Sequence, residues 1–345
     1  MRILYGINAQ QQGHMARAAV LVPRLRERGH TVATISSGLP LKAPQPWMSP
    51  DHLHCPGLPY VDRDGRTDFK RTAALWARRT PSLLRSRRLV KRLAQANDVD
   101  AVLSDFELFT GGPSLGLDVP TVSVCRQVAL LDPQIPLPPS DASGRGITRT
   151  VIRLFSMGAD RRLAYHLAAD SPRCLPPMLR SDLAETQPRE GDFLLVYNSQ
   201  HFGAGGDAES LVTWSHSRAV PVRAYGFADQ PRGQRGGVTF CPPSRETMLA
   251  DLASCRAVAS TAGFALPLEA AVLGKPNLVV PLPGQWEQTV NAFQLSSRGW
   301  SVTADNWDFD AALTAPSPAV LAAERDWLLT PVERILDAIL AALRR

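Results

Sequence analysis

The chain opens on an apolar run, "RILYGI" at residues 2–7, which predicts a buried strand. From Met15 the apolar positions fall at helical spacing. Ala18, Ala19, Val22 and Leu25 share one face, and Gly29 stands where a C-terminal cap would stop the helix. "HTVATISSG" at 30–38, "DAVLSDFE" at 100–107 and "LDVPTVSV" at 117–124 read as further strands. From about Leu130 to Gly191 the chain is rich in Pro, Ser, Arg and Gly. "LLDPQIPLPPSDASGRG" at 130–146 reads as a loop and "TQPREGD" at 186–192 as an interdomain linker.

The alternation then restarts. "FLLVYNS", "VRAYGF", "GVTFCPP", "RAVAST", "NLVVPLP" and "WSVTA" predict strands; "SRETMLADLASC", "FALPLEAAVLG" and "QWEQTVNAFQLSSRG" predict helices between them. The chain ends in an amphipathic helix, "PVERILDAILAALRR". Strands alternating with helices imply parallel sheets, and two such stretches imply an α/β protein of two doubly wound, Rossmann-like domains facing a cleft. The expected division is 1–186, 187–330 and a C-terminal helix at 331–345 that can pack back on the N-terminal domain.

Size and composition fit that picture. The chain has 345 residues, 44% hydrophobic and 20% charged, enough for about two soluble domains. The net charge of +6 suits an anionic partner without choosing among nucleotide, nucleic acid and membrane. Five scattered cysteines with no CxxC spacing point to reduced thiols and a cytoplasmic setting. The chain enters a strand at once instead of a signal peptide, and no apolar run reaches the ~18 residues of a membrane span. "HLHC" at 52–55 lacks a second ligand cluster, which argues against zinc, and no metal is expected.

Two segments stand out chemically. "NAQQQGHM" at 8–15 lies between strand and helix, where a phosphate loop would carry glycines; instead it has Gln10, Gln11 and Gln12 before Gly13 and His14. "FKRTAALWARRTPSLLRSRRLVKRLAQ" at 69–95 contains no acidic residue. Past Pro81 its apolar and basic side chains part onto two faces, which suits either ordinary helix packing or an anionic membrane surface. No nucleic-acid-binding motif accompanies the charge.

The stretch Phe240–Ala292, "FCPPSRETMLADLASCRAVASTAGFALPLEAAVLGKPNLVVPLPGQWEQTVNA", resembles the donor half of GT-B glycosyltransferases. Its spacing is similar to that of macrolide and glucuronosyl transferases and of the bacterial enzyme that adds N-acetylglucosamine to lipid-linked muropeptide. "GHMARA" and the "SDFE" at 104–107 resemble a bacterial subfamily related to the last. The resemblance spans both predicted domains. It implies a transferase that moves a sugar from a nucleoside diphosphate sugar, UDP- or TDP-linked, to a hydroxyl-bearing acceptor, small or lipid-linked, with inversion and without metal or other cofactor.

It also implies roles. His14 would be the general base, with Asp105 or Glu107 orienting its ring. Ser260, Thr261 and the backbone N–H groups of Ala262, Gly263 and Phe264 would meet the diphosphate at a helix start. Glu269 would hold the ribose, Phe240 would lie against the base unless it is core, and Gln285, Glu287 and Gln288 would bind the sugar. Gly203 and Gly205 could also approach the phosphates. Gln10, Gln11, Gln12 and Gly13 would face the acceptor, as glutamine amides suit hydroxyls better than a lipid pyrophosphate. Unlike relatives with Asn or Ser donors after the phosphate loop, this chain has Ala265, Leu266 and Pro267. The residues leave two other readings open, an epimerase acting on the donor alone and a non-catalytic nucleotide-sugar-binding, membrane-associated partner protein; the setting expected is cytoplasmic, free or peripheral at the inner face of the cell membrane.

Overall fold

A computed structural model describes residues 1–10, 12–41, 43–58, 62–63, 66–67, 69–112, 115–139, 144–198 and 206–344. The chain divides into two compact units. The first holds Met1–Ile135, Gly146–Met178 and Thr330–Arg345; the second holds Pro136–Arg145 and Leu179–Leu329.

The first unit runs β1 (Arg2–Asn8), α1 (Gln12–Glu27), β2 (Thr31–Gly38), β3 (Leu53–Pro56), a small hairpin of β4 (Asp62–Arg63) and β5 (Arg66–Thr67), α2 (Phe69–Ala96), β6 (Ala101–Asp105), α3 (Leu108–Gly111), β7 (Thr121–Val124), α4 (Arg145–Ser156), β8 (Arg161–Tyr165) and β9 (Cys174–Leu175). Its main sheet is parallel, in the order β3-β2-β1-β6-β7-β8-β9. The strand order reverses at β1, with β2 on one side and β6 on the other. The loops leaving β1 and β6 therefore diverge and open a crevice at the carboxyl ends of the strands.

The second unit repeats the plan with β10 (Leu194–Tyr197), α5 (Ala208–Arg218), β11 (Val222–Tyr225), β12 (Gly233–Arg235), β13 (Val238–Phe240), α6 (Arg245–Ser254), β14 (Ala257–Thr261), α7 (Ala265–Val272), β15 (Asn277–Val280), α8 (Trp286–Ser296), β16 (Val302–Thr303), α9 (Phe309–Thr314) and α10 (Ala322–Leu328). Its sheet order is β12-β13-β11-β10-β14-β15-β16, parallel except for the β12–β13 pair. Here the order reverses at β10, between β11 and β14. The last helix, α11 (Val332–Leu343), returns to the first unit. It buries Ile335, Leu336, Ile339, Leu340 and Leu343 on one face and packs on β6 and β7. Arg24 and Arg28 of the first unit pair with its Glu333 and Asp337.

Local chemistry explains the elements. The central strands β6 and β14 are buried from end to end, and β1 everywhere past its exposed first residue, Arg2, as expected of parallel strands covered on both faces. In α1 the buried face is Ala18, Leu21, Val22 and Leu25; Ala19 points to solvent. Gly29, at φ 78°, stops the helix as expected. Gly6 in β1 lets α3 pack close, because a Cβ there would collide with the Thr110 side chain.

The middle of the chain is more ordered than its composition suggests. α4 buries Val151, Ile152 and Phe155, and "RRLAY" forms β8. Part of the 130–146 loop, 136–145, belongs to the second unit, where Gln294 Nε2 donates to the Pro136 carbonyl at 2.8 Å and the Arg145 guanidinium lies 5.8 Å from the Trp286 ring centroid. The "TQPREGD" stretch is pinned rather than free. Arg189 N donates to the Ala253 carbonyl at 2.8 Å, and the buried Lys275 ammonium donates to the Arg189 and Cys255 carbonyls at 2.5 and 2.8 Å.

The histidines of "HLHC" are engaged with hydroxyls. His52 Nδ1 meets Thr34 Oγ1 at 2.8 Å and Nε2 meets Ser36 Oγ at 3.0 Å, while His54 Nδ1 meets the same Ser36 at 2.9 Å. Burial, and then the neighbouring His54, push His52 down from 6.5 to about 4. Between those two values the unfolded chain carries the extra proton, so stability is lost as pH falls through that window. The melting temperature should drop between pH 6.5 and 4, and His52→Gln should make that drop shallower; an unchanged slope in the variant would refute this.

Candidate active site

The carboxyl ends of β1 and β6 bring together residues about ninety positions apart. Asp105 ends β6 with no exposure, and His14 and Arg17 reach it from the first turns of α1. Three apart on a helix, these two share a face. His14 Nδ1 lies 2.7 Å from Asp105 Oδ1. Arg17 adds a fork, Nε donating to Oδ2 at 2.8 Å and Nη2 to Oδ1 at 2.8 Å. Burial alone would raise the Asp105 carboxyl, but the charges and hydrogen bonds of Arg17 and His14 outweigh it and hold the group below the usual carboxylate range. An ionised carboxylate has no proton to give. His14 Nδ1 also lies 2.5 Å from Arg17 Nη2, so a carboxylate oxygen and a guanidinium donor meet the same ring atom; with the proton on Nδ1, facing Asp105, the Nε2 lone pair is left for chemistry.

The surroundings hold this arrangement. Asn8 Nδ2 donates to the Phe106 carbonyl at 3.0 Å, and Asn8 Oδ1 accepts from Gln10 N at 2.8 Å. Phe106 sits at φ 53°, a left-handed conformation that costs an aromatic residue energy. Its ring stacks on His14, with centroids 6.1 Å apart at 14°, and on Phe155 at 5.0 Å. His14 itself is only 1% exposed.

Glu107 has a different place from the one expected beside the histidine. It is the N-cap of α3, its Oε2 accepting from Phe109 N at 3.0 Å, Thr110 N at 2.9 Å and Thr110 Oγ1 at 2.8 Å. Of the two carboxylates, Asp105 is the one on the imidazole. Gln10 is likewise engaged within the fold: its Nε2 donates to the Leu58 carbonyl at 3.2 Å. Gly13 is exposed at the start of α1, while Gln11 and the Gln12 side chain lie outside the described residues.

In the second unit β14 runs into the "STAGF" turn and α7. Ser260 and Thr261 are buried, and Ser260 Oγ has no hydrogen-bond partner among the described residues. The backbone donors differ from expectation. Ala262 N continues the sheet by donating to the Val280 carbonyl at 3.2 Å, and Gly263 N closes a tight turn onto the Thr261 carbonyl at 2.7 Å. Phe264 is the N-cap of α7 and gives its first turn no side-chain bond. The first turn of α7 adds the N–H groups of Ala265 and Leu266 at the positive end of the helix. Pro267 fits the same turn, where a missing N–H costs nothing. Asn291 Nδ2 holds the turn through the Ala262 carbonyl at 3.1 Å.

Glu269 is no exposed helical glutamate. It is buried, and Arg180 Nε donates to its Oε1 at 3.3 Å. Phe240 is a core residue: β13 alternates Val238 and Phe240 inward with Thr239 outward, and the Phe240 ring meets Phe227 edge-on at 5.5 Å. At the start of α8, Gln288 Oε1 accepts from Leu282 N at 3.0 Å and its Nε2 donates to Gln285 Oε1 at 3.2 Å, while Glu287 is half-buried beside them. Gly203 and Gly205 lie outside the described residues. Among the described residues there is no group of three or more His, Cys, Asp or Glu that could hold a metal ion.

Sequence reading missed Arg17 and Arg180. Arg17 had a usable signal, its i+3 spacing from His14. Arg180 is 89 residues from Glu269 and had none.

The model of glycosyl transferase family 1 matches residues 1–315. No curated protein sequence matches the chain. Among solved structures it is similar to LpCGTa in complex with UDP, at 15% identity and a TM-score of 0.63, covering 100% of both chains. It is also similar to MurG of Acinetobacter baumannii, at 16% identity and a TM-score of 0.55, covering 99% of this chain and 100% of that one. A third is the spinosyn rhamnosyltransferase SpnG with spinosyn aglycone, at 14% identity and a TM-score of 0.54, covering 99% and 97%. At these identities the structures show a shared fold, GT-B, with its two Rossmann-like domains. With the family model matched over most of its length, the chain belongs to glycosyl transferase family 1 and is a glycosyltransferase.

Proposed function

We propose that this glycosyltransferase moves a sugar from a nucleoside diphosphate sugar, UDP- or TDP-linked, to a hydroxyl of a small or lipid-linked acceptor, with inversion and without a metal. The observation that carries the reading is the 2.7 Å contact of His14 Nδ1 with buried Asp105, which leaves Nε2 able to accept a proton. The acceptor hydroxyl gives its proton to Nε2 as its oxygen attacks the anomeric carbon. The bond from that carbon to the diphosphate breaks on the opposite side, so configuration inverts. Asp105 stabilises the imidazolium that forms. His14 is buried, so the acceptor reaches it only after the covering residues, Phe106 among them, move aside in a conformational step.

The donor belongs to the second unit. The opening N–H groups of α7 and its positive end receive the diphosphate and stabilise its leaving charge, the part a metal would otherwise play. Glu269, oriented by Arg180, takes the ribose hydroxyls; Glu287, with the Gln285–Gln288 pair behind it, takes the sugar. The solved relatives with UDP and with an aglycone support a donor and a hydroxylated acceptor of these classes.

His14→Ala should lower transfer by at least about a hundredfold, while UDP or TDP still raises the melting temperature as in the native protein. Retained transfer would remove His14 from the mechanism. Conversion of the donor sugar without any acceptor, at the native rate in the variant, would favour an epimerase instead.

We also infer an anionic membrane surface as a partner, through α2. Ser86, Val90 and Ala94 face the core, whereas Arg85, Arg88 and Arg92 are exposed together with Leu84 and Leu89, at 53% and 41%. No acidic residue interrupts the helix, and near-surface cations each contribute about 1 kcal/mol to such binding. No helix among the described residues is long and apolar enough to cross a membrane. The protein should sediment with phosphatidylglycerol vesicles at low salt and not with phosphatidylcholine ones. Binding that survives Arg85→Glu, Arg88→Glu and Arg92→Glu together would contradict this.

A further inference from the structure

The His14–Asp105 pair is a triad with Arg17, and the third member differs from a plain structural cation. Arg17 donates to both oxygens of Asp105, and one of them, Oδ1, is the atom that His14 uses. The guanidinium is largely buried, with 15% of its side chain exposed, and lies 5.1 Å from the centroid of the Tyr165 ring. We propose that Arg17 is a positioning residue of the transfer reaction, which fixes the Asp105 carboxylate on His14 and sets the pH at which the pair takes up its first proton. The proposal rests on the reading of His14 as general base.

A buried carboxylate beside an imidazole draws a proton onto the pair, and a fixed positive charge on the same carboxylate opposes that draw. Guanidinium stays charged at every working pH. The other titratable groups facing the triad are phenols, Tyr5 from β1 and Tyr165 from β8. Burial, and then Asp105, hold both phenols neutral well past their ordinary range. Their hydroxyls are buried without hydrogen-bond partners among the described residues, so neither relieves the charge of Asp105 through a bond. The burden falls on Arg17. Without that charge the pair takes up a proton sooner as pH falls. This holds whichever of the two groups carries that proton, because the uptake belongs to the coupled pair.

The fork has a second consequence. Nε and Nη2 lie in one plane and fix the carboxylate plane with them. Oδ1 is thereby aimed at Nδ1. A lysine would supply the charge without the fork, which separates the two effects.

The test compares Arg17→Met and Arg17→Lys in the full chain, each checked for folding by circular dichroism and thermal melting. Where Met is not tolerated, Arg17→Gln is also neutral and carries the same prediction. The first readout is the NMR titration of the His14 ring protons, assigned by their loss in His14→Gln. The second is kcat/KM against pH. In Arg17→Met both the His14 titration and the acidic limb should move to higher pH, by about one unit or more. Arg17→Lys should leave the limb near its native place while kcat falls. A folded neutral variant whose titration and limb are unmoved would overturn the proposal and leave Arg17 as a structural ion pair. If the native protein transfers no sugar, the base reading fails, yet the NMR titration still decides whether Arg17 governs proton uptake.

Discussion

Asp105 carries a negative charge at the end of a fully buried strand, with no exposure to water. A charge so placed has to be met by donors, and removing a partner from such a pair costs about 3–5 kcal/mol. The donors come from α1, so the register of that helix over β6 follows from one carboxylate. His14 and Arg17 must both be present on its first turns. The chain must also turn at once after Asp105, which puts Phe106 in a left-handed conformation and its ring over the imidazole. The Asn8 amide holds the carbonyl of that strained residue and, through Gln10, the loop between β1 and α1. The proposed base, its orienting carboxylate and their cover thus rest on one buried charge.

The second unit solves a different problem with the same sheet plan. Its strand order also reverses at the first strand, β10, and its ligand-facing elements also follow strand ends. It presents few side chains to an anion. The turn after β14 uses its own first two N–H groups internally, and Asn291 secures it from α8. What remains is the open start of α7, where backbone and dipole act together. On the proposed reading, Ala265, Leu266 and Pro267 can stand where the resemblance implies polar donors, because the helix start provides N–H groups whatever its side chains.

Much of this was legible in the sequence. The apolar runs at β1, β6, β10, β14 and β15 and the caps such as Gly29 carry the fold, because buried parallel strands leave a strong local pattern. α4, β8 and β9 were hidden among Pro, Ser and Arg, since tertiary burial decides them more than composition. In the site, His14 and Asp105 were expected as partners by resemblance, and geometry chose Asp105 over Glu107, since Glu107 is needed to cap α3. Phe240 could be core or base platform on sequence grounds. Strand alternation turns it inward against Phe227. Long-range pairs such as Arg180–Glu269 leave no local trace at all. The glutamines before His14 suggested an acceptor contact; Gln10 Nε2 donates to the Leu58 carbonyl within the fold, a bond no local pattern announces.

The proposed transfer depends on which nitrogen of His14 carries the proton when Asp105 is ionised. The direct measurement is the nitrogen-15 spectrum of the histidine side chains near neutral pH, with His14 assigned by its loss in His14→Gln. The predicted result is a protonated Nδ1, hydrogen-bonded to Asp105, and an unprotonated Nε2, with this pattern lost in Asp105→Asn. A protonated Nε2 in the native protein, or a pattern unchanged by Asp105→Asn, would contradict the account.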